Sequence, residues 1–196
     1  MKKLLLTIAA LGTVFSLSAQ DFNKNLTLAR SAYSSGKLEE SRFAMQQMIQ
    51  ELDMMAGKEV LKVLPARLNT IDANAANDNV TAASGFAGVI IHRDYGSGDQ
   101  TGSVEIISNS PLIASVNAIL AIPFIGRSGG DQKVIRIDGY KALLQKNTDN
   151  STSKVSYDVQ IPLNSTLVTM RMENFNGDIE KTAGTLPIAQ IAKILQ

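Results

Sequence analysis

The chain has 196 residues, 44% of them hydrophobic and 19% charged, with 19 basic and 18 acidic residues, one histidine, and neither cysteine nor tryptophan. Without cysteine there are no disulfides, thiolate metal sites or thiol nucleophiles, and a single histidine nearly excludes His-based zinc or copper sites. The balanced charge argues against nucleic acid or an anionic membrane surface as partner, since both are held by clustered Lys and Arg.

Residues 1–20, MKKLLLTIAALGTVFSLSAQ, place two lysines ahead of an apolar run from Leu4 to Phe15 and end in small and polar residues. That is the layout of a secretory signal peptide, with cleavage after Ala19 or Gln20. The apolar run falls short of the roughly 20 residues that a membrane span requires. No cysteine follows, which removes a lipid anchor, and no transmembrane segment is expected in the mature chain. The expectation is a periplasmic or secreted protein. Loss of the two leader lysines leaves 17 basic against 18 acidic residues.

Residues 21–68 read as a helical hairpin, with Ser34-Ser35-Gly36 closing the first helix. In the second, Leu38, Met45, Met48, Ile49, Leu52, Met55 and Val63 recur mostly three or four apart, making one apolar stripe that Pro65 ends. Gly57 is a point at which this helix could divide, because an interior glycine costs about 1 kcal/mol relative to alanine. The stretch LARSAYSSGKLEESRFAMQQMIQEL, with Ala29, Ala32, Tyr33, Gly36 and Glu40, resembles the joint of a tetratricopeptide repeat. Only one such unit is found, and solenoids need about three, so a lone hairpin is the better reading.

Residues 69–84, rich in Asn, Ala, Asp and Thr, read as a linker or mobile loop. From Gly85 on, the pattern alternates. VIIHRDY and SVEII flank a glycine-rich turn; SPLIASVNAILAIP is a helix with Ser110 as cap, Pro111 in its first turn, Pro123 as its stop, and Leu112, Ile113, Val116, Ile119 and Leu120 as its buried stripe. KVIRID and KALLQK form a hairpin around Gly139, with Ile135, Ile137, Ala142 and Leu144 on one face. A two-residue turn at Asn164-Ser165 sets Ile161 opposite Val168, Val159 opposite Met170 and Tyr157 opposite Met172. On the other face it sets Gln160 opposite Thr169, Asp158 opposite Arg171 and Ser156 opposite Glu173. Apolar pairs and polar pairs separate cleanly only in this register. A terminal helix covers Pro187 to Leu195.

The fold class is therefore α+β: an N-terminal helical hairpin, a linker at 69–84, and a sheet domain at 85–196 with about six antiparallel strands in the order ββαββββα and helices packed on one face. The elements KVLP at 62–65, IIHRDYGSGDQTGSVEIISNSP at 90–111 and IRIDGYKALLQ at 135–145 resemble a kind of small exported protein of unknown function found in Gram-negative bacteria. The strand order is similar to the PsbP-like fold, a resemblance that implies an accessory or adaptor role.

Two groups of residues are candidate sites. His92 and Asp94, two apart on a strand, share a face and with Asp99 could contact a ligand or metal ion; a strand end with solvated side chains is the preferred reading. The GSGDQTG loop leads into a strand, so it is a hairpin loop rather than a phosphate cradle, which needs a following helix. Met45, Met48, Leu52 and Met55 are read as packing residues or, where uncovered, as a partner-binding surface. No GxSxG elbow or paired-carboxylate cleft is present. The expected function is a non-enzymatic adaptor or protein-interaction module of the cell envelope, with another envelope protein as partner and no cofactor. The alternative is a small-ligand or metal-ion binding module.

Overall fold

The computed structural model describes residues 14–82, 88–122 and 131–195. The chain divides into two compact units, Met1–Asp53 and Met54–Gln196.

In the first unit α1 (Val14–Ser34) turns into α2 (Leu38–Val63). The turn is built as expected: Gly36 has φ 72°, its amide donates to the Tyr33 carbonyl at 3.0 Å, and the Lys37 amide donates to that of Ala32 at 2.9 Å. These two bonds close the helix in a Schellman motif, where a left-handed residue favours glycine. Ala29, Ala32, Ser41 and Ala44 are buried between the helices. Their small side chains let the backbones approach, and Ser41 Oγ donates to the Ala29 carbonyl at 2.9 Å. Farther along the pair, Asn25 Nδ2 donates to Glu51 Oε1 at 3.0 Å.

The second unit begins with the last turns of α2. Then come β1 (Arg67–Leu68), β2 (Ile71–Asp72), β3 (Asn79–Ala82), β4 (Val89–Tyr95), β5 (Thr101–Ser108) and α3 (Ile113–Leu120). The chain continues through β6 (Gln132–Ile137), β7 (Tyr140–Thr148), β8 (Val155–Pro162), β9 (Thr166–Glu173), α4 (Ile179–Ala183) and α5 (Ile188–Leu195). Strands β3 to β9 form one antiparallel sheet in the order β3-β4-β5-β9-β8-β7-β6, and β1 and β2 form a separate ribbon. The expected register of β8 on β9 is observed, from Tyr157 opposite Met172 to Ile161 opposite Val168. In the β6–β7 hairpin Ile135 faces Ala142, and the four apolar side chains expected on one face are buried.

Four features depart from the sequence expectation. The main sheet has seven strands, not six. The extra one is β3, from a segment expected to be a linker, where Val80 pairs with Ile91 of β4. The helices do not share one face. The C-terminal turns of α2 with α4 and α5 contribute Val60, Leu64, Ile179 and Ile188 to the main core. By contrast, α3 packs Val116 on Leu143 and Leu167, which point the other way. Leu143 and Leu167 are apolar residues on the otherwise polar side of their strands, and α3 covers them as it carries the chain from β5 to the far edge. Helix α3 starts at Ile113, after a turn in which Ser110 Oγ accepts from the Leu112 amide at 3.4 Å, and Leu112 is 53% exposed rather than part of the buried stripe. The expected stop at Pro123 lies outside the described residues.

Gly57 does not divide α2. It is buried, and a Cβ there would stand 2.5 Å from Val80 Cγ1, 3.1 Å from Val89 and 3.2 Å from Ile91. The glycine is a close-approach position between helix and sheet, which outweighs its poor helix propensity.

Candidate functional site

Strand β4 carries two different kinds of residue on its two faces. Val89, Ile91, Arg93 and Tyr95 are buried, whereas Ile90, His92 and Asp94 are half-buried on the opposite face.

The inward residues form a clamp. Arg93 Nε donates to Asp78 Oδ1 at 2.8 Å and Nη2 donates to Asp78 Oδ2, a bidentate pair. Nη1 donates to the Leu64 carbonyl at 3.1 Å. The Arg93 and Asp78 side chains are 10% and 17% exposed. Hydrogen bonding to Asp78 holds the guanidinium above its ordinary pKa. Tyr95 Oη donates to the Pro65 carbonyl at 3.0 Å, and burial pushes its phenol up to about 12. The Leu64-Pro65 pair and the IIHRDY strand, noted separately in the sequence, are thus two halves of one contact. Arg93 and Tyr95 satisfy the carbonyls left open where α2 ends. The β1–β2 ribbon is fastened beside them, because the Asn74 amide donates to the Asp94 carbonyl and the Gly96 amide to that of Asp72, both at 2.8 Å.

The outward residues form a polar surface. His92 Nε2 lies 2.9 Å from Asp94 Oδ1, so the structure brings together these two sequence candidates. Asp99 stands on the β4–β5 loop with its side chain 94% exposed and Lys154 Nζ 3.9 Å away. Across the strands His92 faces Glu105 and Asp94 faces Ser103, and Ser103 faces Arg171. Arg171 Nε donates to Asp158 Oδ1 at 2.7 Å, an interaction that raises the guanidinium pKa. A depression of about 310 Å³ opens here, bordered by Asn74, Asn77, Asp94, Ser103, Arg171 and Glu173. Sequence reasoning had Asp94 as a candidate and, separately, the Asp158–Arg171 pair, but did not bring them together. The depression depends on β5 lying beside β9, a pairing with no local signal. Among the described residues no hydroxyl hydrogen-bonds to His92, and no group of three or more His, Cys, Asp or Glu side chains is placed to hold a metal ion.

The helical hairpin presents the other candidate surface. Leu38, Met45, Ile49 and Leu52 are 48–64% exposed. Met55, one turn on, is exposed as well, and Met48 is half-buried. Leu26 and Tyr33 of α1 are also exposed. Scattered exposed apolar side chains are ordinary, but a contiguous apolar face is a docking signal.

No family model, curated protein or solved structure matches this chain. Among the described residues, no helix is long and apolar enough to cross a membrane.

Proposed function

We propose that the protein is an exported, non-enzymatic interaction module of the cell envelope that uses the apolar face of its helical hairpin to hold another polypeptide. The observation that carries this reading is the exposure of Leu38, Met45, Ile49 and Leu52 along one helix. A flexible methionine among leucine and isoleucine side chains suits helix-in-groove or helix-on-helix docking. The sheet unit is the scaffold; a large apolar cluster makes its main core, and the buried Arg93 uses its polar groups in the clamp that holds the fold together. The leader-like first twenty residues support export.

The test is crosslinking in intact cells, followed by purification and mass spectrometry. The full chain is compared with a variant carrying Met45→Gln, Ile49→Gln and Leu52→Gln. Deleting the whole hairpin is a poor control, because Val60 of α2 and Leu64 just after it belong to the sheet unit's core. A polypeptide captured by the full chain and lost in the variant supports the proposal. Equal capture by both overturns it.

A second reading, a module for a small polar ligand, draws on the depression bordered by Asp94, Ser103 and Arg171. A ligand at 100 times its dissociation constant would add about 2.7 kcal/mol to stability. A thermal-shift screen that finds no such ligand would remove this reading.

A further inference from the structure

The hairpin face carries a charge pattern that identifies its occupant. We infer that a second copy of this chain docks on it, with α2 running antiparallel to α2 of its partner about a twofold axis near residues 47 and 48. The inference rests on reading this face as a docking surface and names the polypeptide that fills it.

At about 100° per residue, Leu38, Met45, Ile49 and Leu52 fall within about 60° of arc. The residues that meet α1, among them Ser41 and Ala44, lie to one side of that arc. In α1 the contact line runs through Asn25, Ala29 and Ala32, and Phe22, Leu26 and Tyr33 are displaced from it in the same rotational sense as the α2 stripe is from its own. In an antiparallel helix pair, equal rotational offsets bring residues to the same side. The hairpin therefore has one broad apolar face to which both helices contribute, with Leu26, Tyr33, Leu38, Met45, Ile49 and Leu52 all exposed. Two such faces closing on each other make a four-helix bundle, a packing that two-helix units adopt readily.

Charge fixes the direction. Arg42 and Asp53 border the stripe on its other flank, 11 residues apart and so on nearly the same line of the helix. They are about 16 Å apart along the axis, too far to pair within one copy. Among the described residues neither makes an ion pair, although Glu40, Glu59 and Lys62 of the same helix and Lys37 just before it all do. In an isologous interface residue i meets j and j meets i. An antiparallel pairing centred near 47 and 48 sets Arg42 of each copy beside Asp53 of the other, twice over. It also sets Met45 against Ile49 and brings Leu38 over Ala56. A parallel pairing would leave Arg42 level with its own copy.

Sedimentation and light scattering of the full chain purified from cells that export it, from about 1 to about 100 μM, test the inference. The expected result is a dimer. Arg42→Glu alone and Asp53→Arg alone each place two like-charged pairs in the interface, so each is expected to weaken association about tenfold or more. Mixing the two single variants is expected to restore it as a heterodimer, as is combining both changes in one chain. Circular dichroism confirms that each variant keeps its helix content; a variant that loses it is replaced by Arg42→Gln or Asp53→Asn, each expected to weaken association less than the reversals. A monomeric wild type across the range, or a mixture that stays monomeric while each variant is folded, overturns the inference. If the cell crosslinking then still captures a different protein through Met45, Ile49 and Leu52, self-association falls and the docking reading stands. If it captures nothing, both fall.

Discussion

Arg93→Ala should be among the most damaging single changes available in the sheet unit. It leaves the Asp78 carboxylate, 17% exposed, without a counter-charge and removes the donor to the Leu64 carbonyl. Truncating one member of a buried ion pair costs about 3–5 kcal/mol because the other is left desolvated and alone. Asp78→Ala strands the guanidinium in the same way and should cost about 3 kcal/mol. The double variant loses the pair but strands no charge, so its cost should also be about 3 kcal/mol instead of the sum of the two. The coupling energy in a double-mutant cycle is then about 3–5 kcal/mol, against under 1 for an exposed pair. Urea unfolding followed by near-ultraviolet circular dichroism suits this comparison, since Tyr95, Tyr140 and Tyr157 lie in the sheet unit and only Tyr33 in the hairpin. Hydrogen exchange at the Asn74 and Gly96 amides, which fasten the ribbon, should accelerate in both single variants. A coupling energy below about 0.5 kcal/mol would show that water reaches the pair and that the clamp contributes little.

Gly57→Ala should gain about 1 kcal/mol of helix propensity yet destabilise on balance by about 1–2 kcal/mol, because the β-branched Val80 at 2.5 Å has little room to yield; Val80→Ala in the same chain should recover part of the loss in urea unfolding. The Tyr95 phenol is raised from 10.0 to about 12, so the folded state resists its ionisation: this contribution to stability is fully present below pH 10 and is lost as pH rises toward 12, by about 2–3 kcal/mol in all. An ultraviolet difference titration should find one tyrosine missing from the high-pH transition in Tyr95→Phe, and that variant should lose less stability over the same pH range. Asp138 accepts from the Ala189 amide at 2.7 Å and so caps α5 from the β6–β7 turn; Asp138→Ala should cost about 1–2 kcal/mol by loss of the cap and strain at φ 50°, while Asp138→Asn should cost much less in thermal unfolding.

What the sequence determined by itself was whatever its own periodicity could encode over a few residues. The β8–β9 register followed from alternation on both sides of Asn164-Ser165, because a slip by one residue would turn every apolar side chain to the wrong face. The β6–β7 hairpin and the terminal helix were legible for the same reason; the α2 stripe was read as one line through Met45, Met48, Leu52 and Met55, of which Met48 is half-buried while Leu38 and Ile49 are exposed. The alternation in VIIHRDY placed His92 and Asp94 on one face, but Arg93 was not singled out. Its partner Asp78, 15 residues upstream in a polar segment, gave no signal, and neither did the carbonyls of Leu64 and Pro65 that Arg93 and Tyr95 satisfy.

Tertiary structure decided the rest. Asn79–Ala82 is too short and polar to declare itself a strand and becomes one only by pairing with β4. Helix α3 takes the face opposite to α4 and α5 because Leu143 and Leu167, on strands distant in sequence, leave an apolar patch there that only the assembled sheet creates. The polar depression exists because β9 returns to lie beside β5, bringing Arg171 to Ser103 and Asp94. Hydrophobic period is a property of a short segment, whereas strand order, the choice of face and the partners of a buried charge are settled by which distant surfaces meet when the chain collapses.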